Sequence, residues 1–151
     1  MKKRSAASSK PPEPVTFFLD RSLGSLKVAK ALRDAGQRVV IHDDVFPQDA
    51  QDTTWLPEVG RQGWVVLTKD RHIRTRRNEV AELMAAGLAV FVMTQADVSG
   101  DEMALAFVAA LPAMLRMVAG KPRPFVARVS AGGELEMLAL PGKRTRDTEQ
   151  T

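Results

Sequence analysis

Four short apolar runs, each followed by a segment with helical periodicity, constrain the fold of this chain more than any other feature of its sequence. The runs are rich in apolar and β-branched residues that favour buried strands, and they span residues 15–19, 38–42, 64–68 and 88–93. Because parallel strands need long crossovers, which are usually helices, this alternation predicts a mainly parallel sheet with helices on both faces. Two last runs, 124–129 and 134–140, flank an Ala-Gly-Gly turn and predict a C-terminal β-hairpin. The expected fold class is therefore α/β.

The predicted helices have recognisable start and stop signals. They are expected over residues 23–35, 52–61, 78–86 and 99–118. Ser22 is expected to cap the first helix, Pro57 to keep the second one short, and residues 43–52 to form a loop. A capping box at Ser99 begins the fourth helix, which Pro112 should kink or split in two. The apolar stripe of this helix indicates either a core face or the surface of a homodimer.

Length and composition are those of a soluble globular protein. At 151 residues, with 44% hydrophobic and 26% charged residues, the chain is expected to form one domain over residues 15–140, with disordered tails at 1–14 and 141–151. It has no cysteine, which excludes disulfides and thiolate chemistry and fits a reducing cytoplasm, the expected location. No apolar run approaches the roughly 20 residues that span a bilayer, so no membrane partner is expected.

Charge is segregated within the predicted domain. The net charge of +4 lies in the tails, because residues 1–14 carry +3 and residues 141–151 carry +1. Residues 42–58 hold five acids and no Lys or Arg, whereas residues 69–77 hold five Lys and Arg side chains against Asp70 alone. This basic segment predicts a surface that binds nucleic-acid phosphates, with a solvated basic turn as the alternative. The predicted contacts are Arg71, His72, Arg74, Arg76 and Arg77.

Several common functional motifs are absent from the sequence. It contains no GxxxxGK[ST] loop of P-loop NTPases, no GxGxxG loop after the first strand and no GxSxG nucleophile elbow. Two histidines without a cysteine do not make a zinc site. The candidate chemistry therefore rests on carboxylates.

Three carboxylates occupy positions where a parallel sheet brings ligands together. Asp20 follows the first strand, Asp52 begins a helix and Asp70 follows the third strand. The carboxyl ends of parallel strands meet at one edge, and clustered oxygen ligands suit Mg²⁺ or Mn²⁺. Asp44 and Glu79 are candidates for a further ligand. Each acid also has a structural interpretation, as a turn residue, a helix cap, part of a solvated loop or a residue that favours the helix dipole.

Three stretches of the sequence together resemble the PIN-like nuclease domains. They are FFLDRSLG at the first strand, DTTWLPEVGRQGWVVLTKDRHIR around the third strand, and Asn78-Glu79 at the start of the third helix. The similarity is to the compact PIN-like proteins of bacterial VapC-type toxin–antitoxin systems and to their Mut7-C-like relatives, and it extends over residues 15–93. It implies a three-layer α/β/α sandwich around a parallel sheet.

The resemblance also implies an activity and the residues that perform it. Members of this family are metal-dependent ribonucleases, so it implies RNA as the substrate, Mg²⁺ or Mn²⁺ as the cofactor and a cognate antitoxin as a partner. Asp20, Asp52 and Asp70 match the acids of the family, and the fourth acid is ambiguous between Asp44 and Glu79. The expected function is therefore that of a toxin that hydrolyses RNA phosphodiester bonds as an endoribonuclease.

Two other functions are weighed against this one. Because the fourth acid is ambiguous, the main alternative is a PIN-like module without catalytic activity that binds RNA or a protein partner. A receiver-like phosphoacceptor domain is disfavoured, since it needs adjacent acids after the first strand and Asp20 is followed by Arg21.

Overall fold

The computed structural model describes residues 15–23, 26–47, 52–69, 77–95 and 97–138. Its strands are β1 Thr16–Leu19, β2 Arg38–Ile41, β3 Val65–Thr68, β4 Ala89–Met93, β5 Phe125–Val129 and β6 Leu135–Leu138. Its helices are α1 Leu26–Asp34, α2 His42–Val45, α3 Asp52–Gln62, α4 Arg77–Ala86 and α5 Gly100–Gly120, with a 3₁₀ turn at Arg21–Leu23 before α1. The two predicted tails lie outside the described residues.

The six described strands form one sheet with the order β2-β1-β3-β4-β5-β6, in which the first five strands are parallel. β1 pairs with β2 on one side and β3 on the other, so that Leu19 is the partner of both Ile41 and Leu67. β5 and β6 are antiparallel and form the predicted hairpin, in which Val129 pairs with Leu135. These pairings confirm the expected α/β class with a mainly parallel sheet.

Helices cover both faces of the sheet because side chains along a strand alternate between its faces. Phe17 and Leu19 of β1 belong to the core beneath α1 and α5, whereas Phe18 belongs to the core beneath α3 and α4. All three side chains are almost fully buried. The result is the three-layer α/β/α arrangement that the resemblance implied.

The strand order reverses at β1, and this reversal creates a crevice. From β1 the chain moves outward to the edge strand β2 and then returns past β1 to β3. The helices that follow β1 and β3, namely α1 and α4, consequently lie on opposite faces of the sheet. In open α/β sheets, ligands bind beyond the carboxyl ends of the strands at such a reversal. The ends of β1 and β3 are therefore where a functional site is expected.

The first predicted helix begins later than expected. α1 starts at Leu26, whereas the sequence indicated residue 23 with Ser22 as its cap. The Ser22 oxygen instead accepts the N–H of Lys69, and its hydroxyl donates to Asp20. The predicted capping role of Ser22 was wrong, because its hydroxyl is used by Asp20 and by the backbone of Lys69, which is 47 positions away in the sequence.

Residues 42–45 are helical, although the sequence predicted a loop from residue 43. α2 is closed by the N–H of Phe46, which donates to the carbonyl of His42 at 2.9 Å. The buried ring of His42 lies 6.1 Å from that of Phe18 and 5.9 Å from that of Trp55, measured between ring centroids. Packing of this ring against two core aromatic residues favours the extra helical turn.

Two prolines lie inside helices without ending them. α3 continues through Pro57 and ends at Gln62, one residue past the predicted end of the second helix. α5 continues through Pro112 as one helix, so the predicted split of the fourth helix was wrong, and the alternative of a kink stays a prediction. Each proline removes one backbone hydrogen bond from its helix. Buried neighbours, Leu56 in α3 and Leu111 in α5, nevertheless hold both helices against the sheet.

The length of α5 requires a correction to the sequence-based expectation about apolar runs. Its 21 residues are long and apolar enough, by length and composition, to cross a bilayer. In the folded chain, however, the side chains of Met103, Phe107, Ala110 and Met114 are buried in the core. The apolar stripe is thus a core face, which is one of the two interpretations that the sequence left open.

Candidate active site

Asp20 lies at the carboxyl end of β1, beside the end of β3. Its N–H donates to the carbonyl of Leu67 at 3.1 Å, which extends the pairing of the two strands by one residue. The residue is only 8% exposed, although its side chain is a carboxylate. Burying a charged group costs free energy unless hydrogen bonds replace its hydration. Hydrogen-bond donors around this carboxylate must therefore offset the free-energy cost of its burial.

Hydroxyl and backbone donors hold both oxygens of the Asp20 carboxylate. Oδ1 accepts the N–H of Ser22 at 2.8 Å and the hydroxyl of the same residue at 2.5 Å. Oδ2 accepts the hydroxyl of Thr68, the last residue of β3, at 2.5 Å. Thr68 is itself fully buried. The ends of two neighbouring strands thus orient the carboxylate, as outer hydrogen-bond partners commonly orient the carboxylate ligands of metal ions.

Ser22 also contacts the chain that leaves β3. Its Oγ accepts the N–H of Lys69 at 2.8 Å and lies 3.0 Å from Oγ1 of Thr68. The sequence patterns indicated only a helix cap at Ser22 and a strand residue at Thr68, so these two site residues were missed. A signal for them exists, because each lies two positions from a candidate acid, in Asp20-Arg21-Ser22 and in Thr68-Lys69-Asp70.

The topology brings the first turns of α3 and α4 toward the same edge of the sheet. Each of these helices connects two parallel strands, so it runs from the carboxyl edge back to the amino edge. Asp52 is the first residue of α3, and Arg77 and Glu79 lie in the first turn of α4. Only the backbone of these three residues is described, so their contact with the Asp20 carboxylate stays a prediction.

The remaining predicted site residues are exposed or fall outside the described residues. Asp44 lies in α2, shortly after β2, and is exposed. The residues outside the described ranges are Asp70, Arg71, His72, Arg74 and Arg76. Within the described ranges, no three His, Asp or Glu side chains come close enough to hold a metal ion. The full ligand set therefore also stays a prediction.

Comparison with known proteins identifies the family. A family model described as "PIN like domain" matches residues 15–95, from β1 to just past β4. The chain belongs to the PIN-like domain family. It is also 32% identical over 117 residues to a Mycobacterium tuberculosis protein named "Putative ribonuclease VapC45", with 75% of this chain and 84% of that protein covered. No solved structure matches the chain significantly.

These matches confirm the resemblance to PIN-like domains of the VapC type. The matched region of this PIN-like domain contains Asp20, Ser22 and Thr68, together with both strands at the reversal. Mg²⁺ and Mn²⁺ prefer oxygen ligands, and a carboxylate whose two oxygens are held in place by hydroxyl donors has the chemistry they require. Asp20 therefore fits the role of one ligand of such an ion.

Proposed function

We propose that this PIN-like domain is a metal-dependent endoribonuclease that acts as the toxin of a bacterial toxin–antitoxin pair. The observation that carries the proposal is the Asp20 carboxylate, which is buried where the strand order reverses and is held by the hydroxyls of Ser22 and Thr68. A relative of the chain bears the name of a VapC ribonuclease, which supports RNA as the substrate.

The burial of Asp20 argues for a functional role over that of an ordinary turn residue. An acid in a surface turn accepts one nearby backbone N–H and keeps most of its hydration. Asp20 makes that local bond to Ser22, but it also receives the hydroxyl of Thr68, which lies 48 positions away in the sequence. A buried ionisable group that lies in a crevice and accepts several hydrogen bonds is typical of functional sites.

The acids of the site would hold the metal ion. In the proposal Asp20, Asp52 and Asp70 are ligands of Mg²⁺ or Mn²⁺, and Asp44 or Glu79 is a further ligand. When bound, the ion supplies a Lewis acid that stabilises the negative charge developing on the phosphate during hydrolysis. The hydroxyls of Ser22 and Thr68 donate to the two Asp20 oxygens and so keep the carboxylate from rotating into solvent.

The basic segment after β3 would bind the RNA backbone. Its members lie within seven positions after Asp70 in the sequence, and the last of them is the first residue of α4. They are Arg71, His72, Arg74, Arg76 and Arg77. Contacts of this kind position the phosphates without reading the base sequence, and they weaken as salt concentration rises. The proposal therefore includes RNA binding that is tighter at low salt than at high salt.

RNA cleavage by the purified full-length protein tests the proposal. Wild-type protein should cleave a labelled RNA with Mn²⁺ or Mg²⁺ and lose the activity in EDTA, and Asp20→Asn and Asp70→Asn should abolish metal-dependent cleavage. Asp34→Asn is the matched control, because Asp34 is an exposed acid on α1 that pairs with Lys30 at 2.9 Å. Equal cleavage by the wild type and both site variants would overturn the proposal.

A PIN-like module without catalytic activity is the second candidate function. It is favoured by the ambiguity of the fourth acid, since one of its two candidates, Asp44, is an exposed residue of α2. This candidate predicts RNA binding with a steep salt dependence but no metal-dependent turnover. Wild-type protein that binds RNA in a filter assay and fails to cleave it with either ion would favour this module over the enzyme.

The toxin role adds a partner and a location to the proposal. A toxin that cleaves RNA must act in the cytoplasm, and it must be neutralised by a cognate antitoxin before it reaches its substrate. Expression of the chain alone should arrest growth, and co-expression with a small protein encoded by a neighbouring gene should relieve the arrest. Unimpaired growth with soluble wild-type protein would argue against the toxin role.

A further inference from the structure

We propose that Ser22 is a positioning residue that couples the backbone at the end of β3 to the Asp20 carboxylate and thereby strengthens metal binding. The inference rests on the proposed function, since it assigns Ser22 a role toward the ion that Asp20 and Asp70 would share. Ser22 itself touches neither the ion nor the RNA in this account.

The contacts of Ser22 join two segments that are distant in sequence. Its hydroxyl proton is donated to Oδ1 of Asp20, and its oxygen accepts the N–H of Lys69. Ser22 and Lys69 are 47 positions apart, so only the pairing of β1 with β3 brings them together. One side-chain oxygen thus links the first proposed ligand, Asp20, to Lys69, which immediately precedes the proposed ligand Asp70 in the sequence.

The hydroxyl of Ser22 is not needed for the local turn. The turn after β1 is already closed by the Ser22 N–H, which donates to Oδ1 of Asp20, and by the Leu23 N–H, which donates to the carbonyl of Asp20. Ser22 is exposed, so water can replace part of what its hydroxyl contributes to folding. The use of this hydroxyl on two site segments therefore points to a role in the site and not in the stability of the fold.

Removing the hydroxyl should loosen two backbone segments at once. Outer partners that orient metal ligands typically change metal affinity by 10–100-fold when they are removed. Ser22→Ala should therefore weaken Mn²⁺ binding by about 10-fold or more. Ser22→Thr keeps the hydroxyl, so its Mn²⁺ affinity should stay close to that of the wild type and well above that of Ser22→Ala.

The experiment is a titration of the full-length protein with Mn²⁺, followed by electron paramagnetic resonance, together with amide exchange at Lys69. Ser130→Ala is the matched control, because the Ser130 hydroxyl also accepts one backbone N–H, from Glu134 at 3.0 Å, but in the β5–β6 turn. The control should bind Mn²⁺ like the wild type. Ser22→Ala should show weaker binding and faster exchange of the Lys69 amide.

The outcomes separate this inference from the proposed function. If Asp20→Asn loses Mn²⁺ binding while Ser22→Ala binds like the wild type, the positioning role is overturned and the proposed function stands. If Asp20→Asn binds Mn²⁺ like the wild type, the proposed function itself is overturned. An unfolded Ser22→Ala protein would also overturn the positioning role, because it would show that the hydroxyl serves the fold.

Discussion

Replacing Thr68 by Val removes one hydroxyl from the candidate site while preserving the shape and strand preference of the side chain. Thr68 is 0% exposed, and its hydroxyl donates to Oδ2 of Asp20 at 2.5 Å. Asp20 is itself only 8% exposed, so water has little access to replace the lost donor. The variant therefore buries a carboxylate that has one donor fewer than in the wild type.

The size of the effect follows from the charge of the acceptor. A hydrogen bond to a charged group contributes about 1.5–3 kcal/mol, and an unsatisfied buried group costs a similar amount. We expect Thr68→Val to lower the free energy of unfolding by about 2 kcal/mol. For a domain of roughly this size, 1 kcal/mol corresponds to about 2–4 °C, so the melting temperature should fall by about 4–8 °C.

Urea-induced unfolding at pH 7 in the presence of EDTA measures this difference without a contribution from bound metal. Thr68→Ser keeps the hydroxyl and should lose only the methyl group, which costs about 1 kcal/mol. Thr16→Val, the same substitution at the partly exposed start of β1, should change stability by less than about 0.5 kcal/mol. A Thr68→Val protein as stable as the wild type would refute the argument that this hydroxyl supports the burial of Asp20.

Three further predictions concern other parts of the molecule. Gly60→Ala should destabilise the protein by about 1–3 kcal/mol, because the added Cβ would lie 2.5 Å from the Cβ of Ala86. The control is Gly120→Ala, whose added Cβ meets no atom within 4 Å and should leave the stability nearly unchanged. Thermal unfolding of both variants measures the difference. Ser99→Ala should cost about 1 kcal/mol, since Ser99 caps α5, and equal stability by urea unfolding would contradict the capping role. Mn²⁺ should raise the melting temperature of the wild type in a concentration-dependent way but not that of Asp20→Asn, and the same rise in both proteins would place the ion elsewhere.

The sequence by itself determined the architecture, because the signals for it are local. Alternation of short apolar runs with helical periods predicted the parallel sheet, and the Gly-rich turn predicted the hairpin that β5 and β6 form. The capping box at Ser99 was equally visible, since all its groups lie within one helical turn. Asp20 was recognisable as a candidate because it directly follows an apolar strand.

Only the tertiary structure decided what surrounds Asp20. A Ser or Thr hydroxyl can cap a helix, close a turn or lie on a strand, and the sequence near Ser22 and Thr68 does not distinguish among these roles. The pairing of β1 with β3 brings these two residues, 46 positions apart, to within 3.0 Å of each other around one carboxylate. The same holds for the helical turn at His42 and for the single helix that continues through Pro112, where packing against the core outweighs the local preference of the chain.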